Sequence, residues 1–238
     1  MVITVFGDLV QHRGGQISTT KLAEVLGRVG VEQGALRTAL SRLARDGWVQ
    51  AERKGRTSHY RLSQQGLARF ASATVQIYGP AIVAPVGRWA MVLKLGVAGR
   101  QEVTVCPLDD VVDQGDCLVS GDLRMVSEAY RALLLGEDHR SALAALAADI
   151  TALAGVDISD PLAAAAARVL LIHRWRRIVL RFPEIPRELM PADAPLANPR
   201  HGVAQAYWRL AKTGEAWMGR DAVASGASNQ ANGRFKPV

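Results

Sequence analysis

The chain has 238 residues, enough for one to three domains, and it carries a formal net charge of +7 with a pI near 9.9. Its two cysteines, Cys106 and Cys117, lack Cys-x-x-Cys spacing and histidine partners, which argues against a zinc site. Two free thiols without a secretory signal fit a reducing cytoplasm. The apolar stretch 1–6 is too short for a membrane span, and we expect it to pack as a first helix that breaks at Gly7–Asp8. No membrane segment is predicted.

Residues 16–47 have the pattern of two helices joined by a turn. In the first, from Ile17 to Leu26, Ser18 can serve as the N-cap, because its hydroxyl can accept a hydrogen bond from a backbone amide. The glycines at 27 and 30 predict the turn, and a second helix follows over 32–47. The second helix has one apolar stripe, formed by Leu36, Leu40 and Leu43. The two helices are therefore expected to share a core.

The opposite face of the second helix is polar and basic. Its candidate DNA contacts are Gln33, Arg37, Thr38, Ser41, Arg42 and Arg45. Next, 48–53 and 57–62 predict a β-hairpin whose tip carries Lys54 and Arg56. Arginines on a helix in the major groove can bind guanine edges, and a basic hairpin can hold phosphates. The sequence therefore predicts a winged helix-turn-helix domain over 1–80 that binds duplex DNA.

The same elements could instead form a structural or protein-binding module whose arginines are only solvated. The distribution of charge favours DNA. Residues 1–80 carry 11 Lys/Arg against 5 Asp/Glu, whereas residues 81–238 carry 18 against 17. Nearly all of the net positive charge thus lies in the part with the helix-turn-helix pattern, as expected for a nucleic-acid interface.

The middle of the chain, 81–122, has the pattern of a small strand-rich domain. A helix over 63–80 precedes it, and strands are predicted at 89–95, 102–106 and 117–120. A local acidic cluster lies between the last two strands, formed by Asp109, Asp110, Asp113 and Asp116. These aspartates could bind a divalent cation, but the spacing differs from an EF-hand loop, so surface turns are the favoured interpretation and no metal site is predicted.

Residues 123–220 are alanine-rich and predict a C-terminal helical domain, followed by a flexible tail over 221–238. Its helices are expected at 124–135, 141–153, 161–181 and 199–218. The fold class is thus α+β and mostly helical. The alanine-rich helices offer apolar area with few charges, so we expect a homodimer that associates through 123–181.

The third of these helices carries a basic group around an aromatic residue, Trp175. Its members are His173, Arg174, Arg176 and Arg177. Such donors suit the phosphates of an acyl-coenzyme A, whose acyl group would need a pocket lined by residues such as Trp175 or Trp208. Alternatively, the arginines pair with carboxylates such as Glu184 and Glu188. Both interpretations stay open at this point.

The chain resembles the PaaX family of phenylacetate-catabolism repressors. The resemblance rests on motifs near both ends: Thr4-Val5-Phe6-Gly7-Asp8-Leu9-Val10, Arg13-Gly14-Gly15, Arg37-Thr38-Ala39-Leu40-Ser41-Arg42-Leu43, Asp46-Gly47-Trp48, the stretch 55–62, Leu171-Ile172-His173-Arg174-Trp175-Arg176-Arg177 and the stretch 180–191. It implies a homodimer with a winged DNA-binding domain, a central ferredoxin-like domain, here reduced, and a C-terminal helical domain. It also implies an aryl-acyl-coenzyme A effector, phenylacetyl-coenzyme A in the founding members, that weakens DNA binding.

The resulting prediction is a repressor of a catabolic operon that an effector resembling phenylacetyl-coenzyme A releases from double-stranded DNA. No catalytic residue and no cofactor is predicted, because the sequence lacks a nucleophile elbow and a phosphate-binding loop. Two alternatives remain: a DNA-binding scaffold that needs no effector, and an enzyme that acts on coenzyme A thioesters.

Overall fold

The structure is a computed structural model that describes residues 1–55, 57–80, 84–96, 99–219 and 234–235, with only the backbone of Lys54. The described residues form an α+β fold that is mostly helical, with two small antiparallel sheets. None of the described helices is both long and apolar enough to cross a membrane.

The first helical segment is longer than predicted. Helix α1 (Val2–Val5) continues directly into a π-helix (Phe6–Val10), so the break expected at Gly7–Asp8 is wrong. Gly7 allows close packing here, because a Cβ at this position would lie 2.2 Å from the ring of Phe70. We call residues 2–10 the N-terminal segment; its apolar side chains are buried beneath the next two helices.

Helices α2 (Thr19–Gly27) and α3 (Gln33–Arg45) form where the two-helix pattern predicts them. The Ser18 hydroxyl accepts a hydrogen bond from the Lys21 amide and so caps α2, as expected. Gly47 ends the turn after α3 with a φ of +74°, a conformation that glycine adopts without strain.

A three-stranded antiparallel sheet packs beside these helices in the order β1-β3-β2. Strands β2 (Val49–Lys54) and β3 (Thr57–Leu62) form the hairpin at the predicted place. The third strand, β1 (Gln16–Ser18), corrects the sequence analysis, which put Ile17 in the first helix. Helix α4 (Gln64–Tyr78) then leads away; it buries Phe70, Ile77 and Tyr78, while Leu67 is 39% exposed.

The middle of the chain contains strands β4 (Trp89–Leu95), β5 (Gln101–Pro107) and β6 (Cys117–Gly121), paired in the order β5-β4-β6. A ferredoxin-like unit has four strands and two helices, whereas the described residues here contribute three strands and one 3₁₀ turn. Two of the acidic residues hold loops: Asp113 pairs with Lys94 at 2.8 Å, and Asp116 accepts a hydrogen bond from the Leu95 amide at 2.7 Å.

The C-terminal part is built from four helices: α5 (Glu128–Leu135), α6 (Glu137–Ala154), α7 (Pro161–Val179) and α8 (Pro199–Gly219). Asp160 caps α7 by accepting hydrogen bonds from the Leu162 and Ala163 amides. Helix α8 crosses α7 closely at Gly214, where a Cβ would lie 3.0 Å from the Ala165 backbone nitrogen. Small residues at this crossing let the two helix backbones approach.

Helix α7 belongs to both hydrophobic cores of the described chain. Ala165 and Val169 pack with the N-terminal segment, α2 and α3. Leu171, Trp175 and Ile178 pack with α6, α8 and the end of α4. Helices α4 and α8 also contribute to both cores, through Phe70 and Ile77 in α4 and through Trp217 and Tyr207 in α8. The relative position of the helix-turn-helix elements and the C-terminal helices therefore depends on these three helices.

A buried ion pair crosses the boundary between the two cores. Arg168 Nε of α7 donates to Asp8 Oδ2 at 2.8 Å, and both side chains are fully buried. Arg168 also lies 3.6 Å from Glu215, which in turn pairs with Arg13 at 3.3 Å. Burial alone would lower the pKa of Arg168, but Asp8, Tyr207 and Glu215 together outweigh it and raise the pKa, so the guanidinium stays charged.

We predict that Arg168→Met destabilises the protein by about 3–5 kcal/mol, because it leaves the Asp8 carboxylate with less compensation in a buried site. Arg181→Met is the matched control, since the pair between Arg181 and Asp138 is exposed on both sides and should contribute less than about 1 kcal/mol. Urea unfolding of both variants tests this. Equal destabilisation would contradict a special role for the buried pair.

Candidate nucleic-acid interface and effector groove

The outward face of α3 is polar and exposed. All six residues predicted there are exposed: Gln33, Arg37, Thr38, Ser41, Arg42 and Arg45. On the opposite side, Leu36 and Leu40 are each 2% exposed and pack against the core. The leucine stripe therefore fixes which side of α3 faces outward.

The residues of this face differ in the ion pairs and hydrogen bonds that they make within the protein. Arg45 pairs with its neighbour Asp46 at 3.1 Å, and the Thr38 hydroxyl donates to the Gly34 carbonyl at 3.0 Å. Within the described residues, no carboxylate lies within ion-pair distance of Arg37 or Arg42. These two guanidinium groups are thus the most available cations on α3, whereas Thr38 is a weaker candidate than predicted.

The hairpin beside α3 extends the basic surface. Strand β2 packs against α3, and the backbone of Lys54 pairs with Thr57 where the hairpin turns. Arg53 next to the tip donates to the Gly55 carbonyl at 3.4 Å. Arg56 and the Lys54 side chain, both predicted DNA contacts, lie outside the described residues.

A second candidate site is a groove of about 650 Å³ between α6 and α7, which we call the α6–α7 groove. Its apolar lining includes Leu153, Leu170, Leu171, Ile178 and Phe182, and its polar lining includes Asp149, His173, Arg174, Arg177 and Arg181. Three of the four predicted effector residues therefore line one groove. Arg176 does not: it is half-buried, and burial lowers its pKa.

The arginines of the groove have different partners from those expected. Arg174 pairs with Asp149, and Arg181 pairs with Asp138 at 2.9 Å, so both use carboxylates of α6. The suggested partners are engaged elsewhere. Glu184 accepts from Arg200 at 2.7 Å, and Glu188 accepts from the Val86 amide at 3.0 Å.

Arg177 is the groove cation without a nearby carboxylate. It is exposed, and no acidic group in the described part of the chain lies within ion-pair distance of it. Because an exposed guanidinium can donate to phosphate in bidentate geometry, Arg177 is better placed to bind an anion than its paired neighbours.

His173 contributes a different property. Burial, together with the charges of the terminal amine, Arg176 and Arg177, lowers the pKa of His173 to about 4. The ring is therefore neutral at pH 7 and does not serve as a cation. Its Nδ1 lies 3.1 Å from the hydroxyl of Thr4, which connects the groove to the N-terminal segment.

The two tryptophans suggested for an acyl pocket lie elsewhere. Trp175 is 3% exposed, and its indole donates to the Ile77 carbonyl at 2.8 Å. The indole of Trp208 donates to the carbonyl of Phe235 at 2.7 Å. Leucines and Phe182 provide the apolar lining instead. Among the described residues, no group of three or more His, Cys, Asp or Glu side chains is arranged to hold a metal ion.

Two family models match the chain: PaaX-like protein over residues 1–66, and PaaX-like protein C-terminal domain over residues 122–220. The chain belongs to the PaaX family. A curated relative, Transcriptional repressor PaaX of Escherichia coli (strain K12), is 26% identical over 258 residues, which cover 92% of this chain and 82% of the relative.

One solved structure supports the fold of this PaaX-family chain. Uncharacterized protein Rv0674 from Mycobacterium tuberculosis superposes with a TM-score of 0.54 at 21% identity, covering 91% of this chain and 97% of that chain. The first matched family region contains α2, α3 and the hairpin, and the second contains the α6–α7 groove. The middle sheet lies between the two matched regions.

Proposed function

We propose that this PaaX-family protein is a transcriptional repressor that binds operator DNA through α3. The observation that carries the proposal is the exposed Arg37 and Arg42 side chains opposite a buried leucine stripe. Helices α2 and α3, followed by the β2–β3 hairpin, have the element order of a winged helix-turn-helix. The relative named as a transcriptional repressor supports the same conclusion.

The dimensions suit this role. With its side chains an α-helix such as α3 is about 10–12 Å across, and the major groove is about 12 Å wide, so the helix fits into the groove. Arg37 and Arg42 would donate to guanine edges, while Gln33 and Ser41 could contact bases or phosphates. The basic hairpin, with Lys54 and Arg56, would hold the flanking phosphates.

We predict that Arg42→Ala weakens binding to a selected duplex by about 1–3 kcal/mol and relaxes base preference at one position. The duplex is first isolated from a random-sequence library with the wild-type protein, and affinity is then measured by fluorescence anisotropy. The matched control, Arg124→Ala, removes the same charge from a side chain that is 89% exposed and outside α3.

The control should bind almost as tightly as wild type, because it loses only weak long-range attraction. If the library yields no preferred sequence, or if Arg42→Ala and Arg124→Ala bind alike, then α3 does not recognise bases.

The proposal includes an effector in the α6–α7 groove, an acyl-coenzyme A thioester of the arylacyl type. Phosphates would meet Arg177 at the rim, and the acyl group would lie against Leu171 and Ile178. His173 lines the groove and is hydrogen-bonded to Thr4. A ligand in the groove would therefore act, through His173, on the N-terminal segment, on which α2 and α3 pack. Ligand and DNA would then weaken each other's binding by the same factor.

We predict that Arg177→Ala weakens binding of phenylacetyl-coenzyme A by about tenfold, since one charge-assisted contact to phosphate is lost. Isothermal titration measures it, with coenzyme A and phenylacetate as separate ligands and Arg187→Ala as the control outside the groove. No heat with the wild-type protein at millimolar thioester would favour the DNA-binding scaffold without effector. Hydrolysis of the thioester would favour the enzyme.

We also propose a homodimer, because one winged domain contacts only a few base pairs and a two-fold pair doubles them. The alanines of α7 pack inside the chain, so they are less suited to the interface than expected. One face of the middle sheet is apolar and partly exposed, and we call it the β-face. Its residues are Met91, Leu93, Leu95, Val103, Val105, Cys117 and Val119. A second copy would cover this face.

We predict that Val119→Glu shifts the protein from dimer to monomer, because a carboxylate on the apolar β-face must be desolvated when a second copy covers it. Val112→Glu is the matched control, since Val112 is fully exposed outside the strands. Light scattering at micromolar concentration measures the mass of both. A monomeric wild-type protein would remove the proposal, and a dimeric Val119→Glu variant would place the interface elsewhere.

A further inference from the structure

Arg234 makes an unusual set of contacts for a residue so close to the end of the sequence. Its guanidinium donates to the Asp8 carboxylate at 3.1 Å, to the Asp8 carbonyl at 2.6 Å and to the Gly7 carbonyl. It also lies 4.3 Å from the centre of the Tyr78 ring, within cation–π distance. The sequence analysis assigned 221–238 to a flexible tail, so the burial of this residue is a correction.

Phe235 is also fixed by packing and by hydrogen bonds. Its side chain is fully buried, with ring centres 5.5 Å from Tyr78 and 5.2 Å from Tyr207. Its amide donates to the Tyr78 carbonyl at 3.0 Å, and its carbonyl accepts from the Trp208 indole at 2.7 Å. The residue has a φ of +43°, which a bulky side chain adopts only where its surroundings hold it.

The receiving site, which we call the anchor cleft, is formed by Gly7, Asp8, Tyr78, Tyr207 and Trp208. Gly7 and Asp8 lie in the π-helix, whose last carbonyls lack partners within the helix and so attract a cationic donor. The rings of Tyr78 and Tyr207 pack against the phenyl group, and the Trp208 indole donates to the Phe235 carbonyl. The cleft thus binds a guanidinium and a neighbouring aromatic ring, and it also hydrogen-bonds both peptide groups of the aromatic residue.

We propose that the anchor cleft is a peptide-binding site for an arginine followed by an aromatic residue, and that the chain's own Arg234–Phe235 occupies it reversibly. Fourteen residues separate Gly219 from Arg234, so the pair can leave the cleft without unfolding α8. A short tether also keeps its effective concentration near the millimolar range, so a site of modest affinity stays occupied.

Occupancy of the cleft joins elements that belong to different cores. Arg234 binds the N-terminal segment, whereas Phe235 binds the end of α4 and α8. The docked pair therefore acts as a latch between the helix-turn-helix elements and the C-terminal helices. The inference does not depend on the identity of the DNA or of the effector.

The test compares the full-length wild-type protein with the full-length double variant Arg234→Gln/Phe235→Ala. The probe is the acetylated peptide Gly-Arg-Phe-Lys-Pro-Val, which is the sequence of residues 233–238. We expect the double variant to melt several degrees lower than wild type. Millimolar peptide should raise the melting temperature of the variant and leave that of the wild type unchanged, because the wild-type cleft is already filled. The control peptide Gly-Gln-Ala-Lys-Pro-Val should shift neither protein.

Trypsin provides a second readout that needs no peptide. Cleavage after Arg234 should be at least about tenfold faster in the single variant Phe235→Ala than in wild type, because the undocked bond is accessible to the protease. Equal melting temperatures and equal cleavage rates would show that the cleft does not hold the pair. Destabilisation without rescue by peptide would show that the two residues are part of the core and not a separable ligand. An equal shift of both proteins would place the peptide at another site.

Discussion

The ion pair between Asp8 and Arg168 is the constraint on which the arrangement of this protein depends. Two fully buried charges 160 positions apart in sequence must meet with hydrogen-bond geometry, because either one alone would carry a large desolvation cost. That requirement fixes the N-terminal segment on α7. The segment in turn packs under α2 and α3, so this pair helps to set the position of the exposed α3 face relative to the C-terminal helices, together with the hydrogen bond from Lys21 of α2 to the Trp217 carbonyl of α8.

Contacts from distant parts of the sequence converge on the same short segment. Arg168 and Arg234 bind Asp8, and His173 binds Thr4. Arg168 and His173 belong to α7, whereas Arg234 lies near the end of the sequence. Since His173 also lines the α6–α7 groove, a ligand in the groove and the latch in the anchor cleft would act on one structural element. Each would therefore be connected to α3 through that one segment, without a long series of residues in between.

Local sequence patterns predicted the parts that local interactions decide. Ser18 caps its helix as expected, and the leucine stripe assigned the outward face of α3, because caps and periodicity involve residues within a turn or two. The suggested pairing of Arg174 with Glu184 or Glu188 is not what the structure has, because packing places Asp149 of α6, 25 residues earlier in the sequence, beside Arg174. Docking of Phe235 was missed because a lone aromatic in a polar tail has no local signature.

A buried ion pair also affects how the molecule could change conformation. Gradual separation of Asp8 and Arg168 would leave both charges desolvated and unpaired, so intermediate positions of the N-terminal segment are unfavourable. An effector that releases DNA must therefore favour a second discrete arrangement in which the pair is kept or both groups are rehydrated. Contacts at the edge of the segment, such as Thr4 with the neutral ring of His173, can change without that cost. If an effector binds in the groove as proposed, it would therefore act on contacts of this kind while the ion pair stays formed.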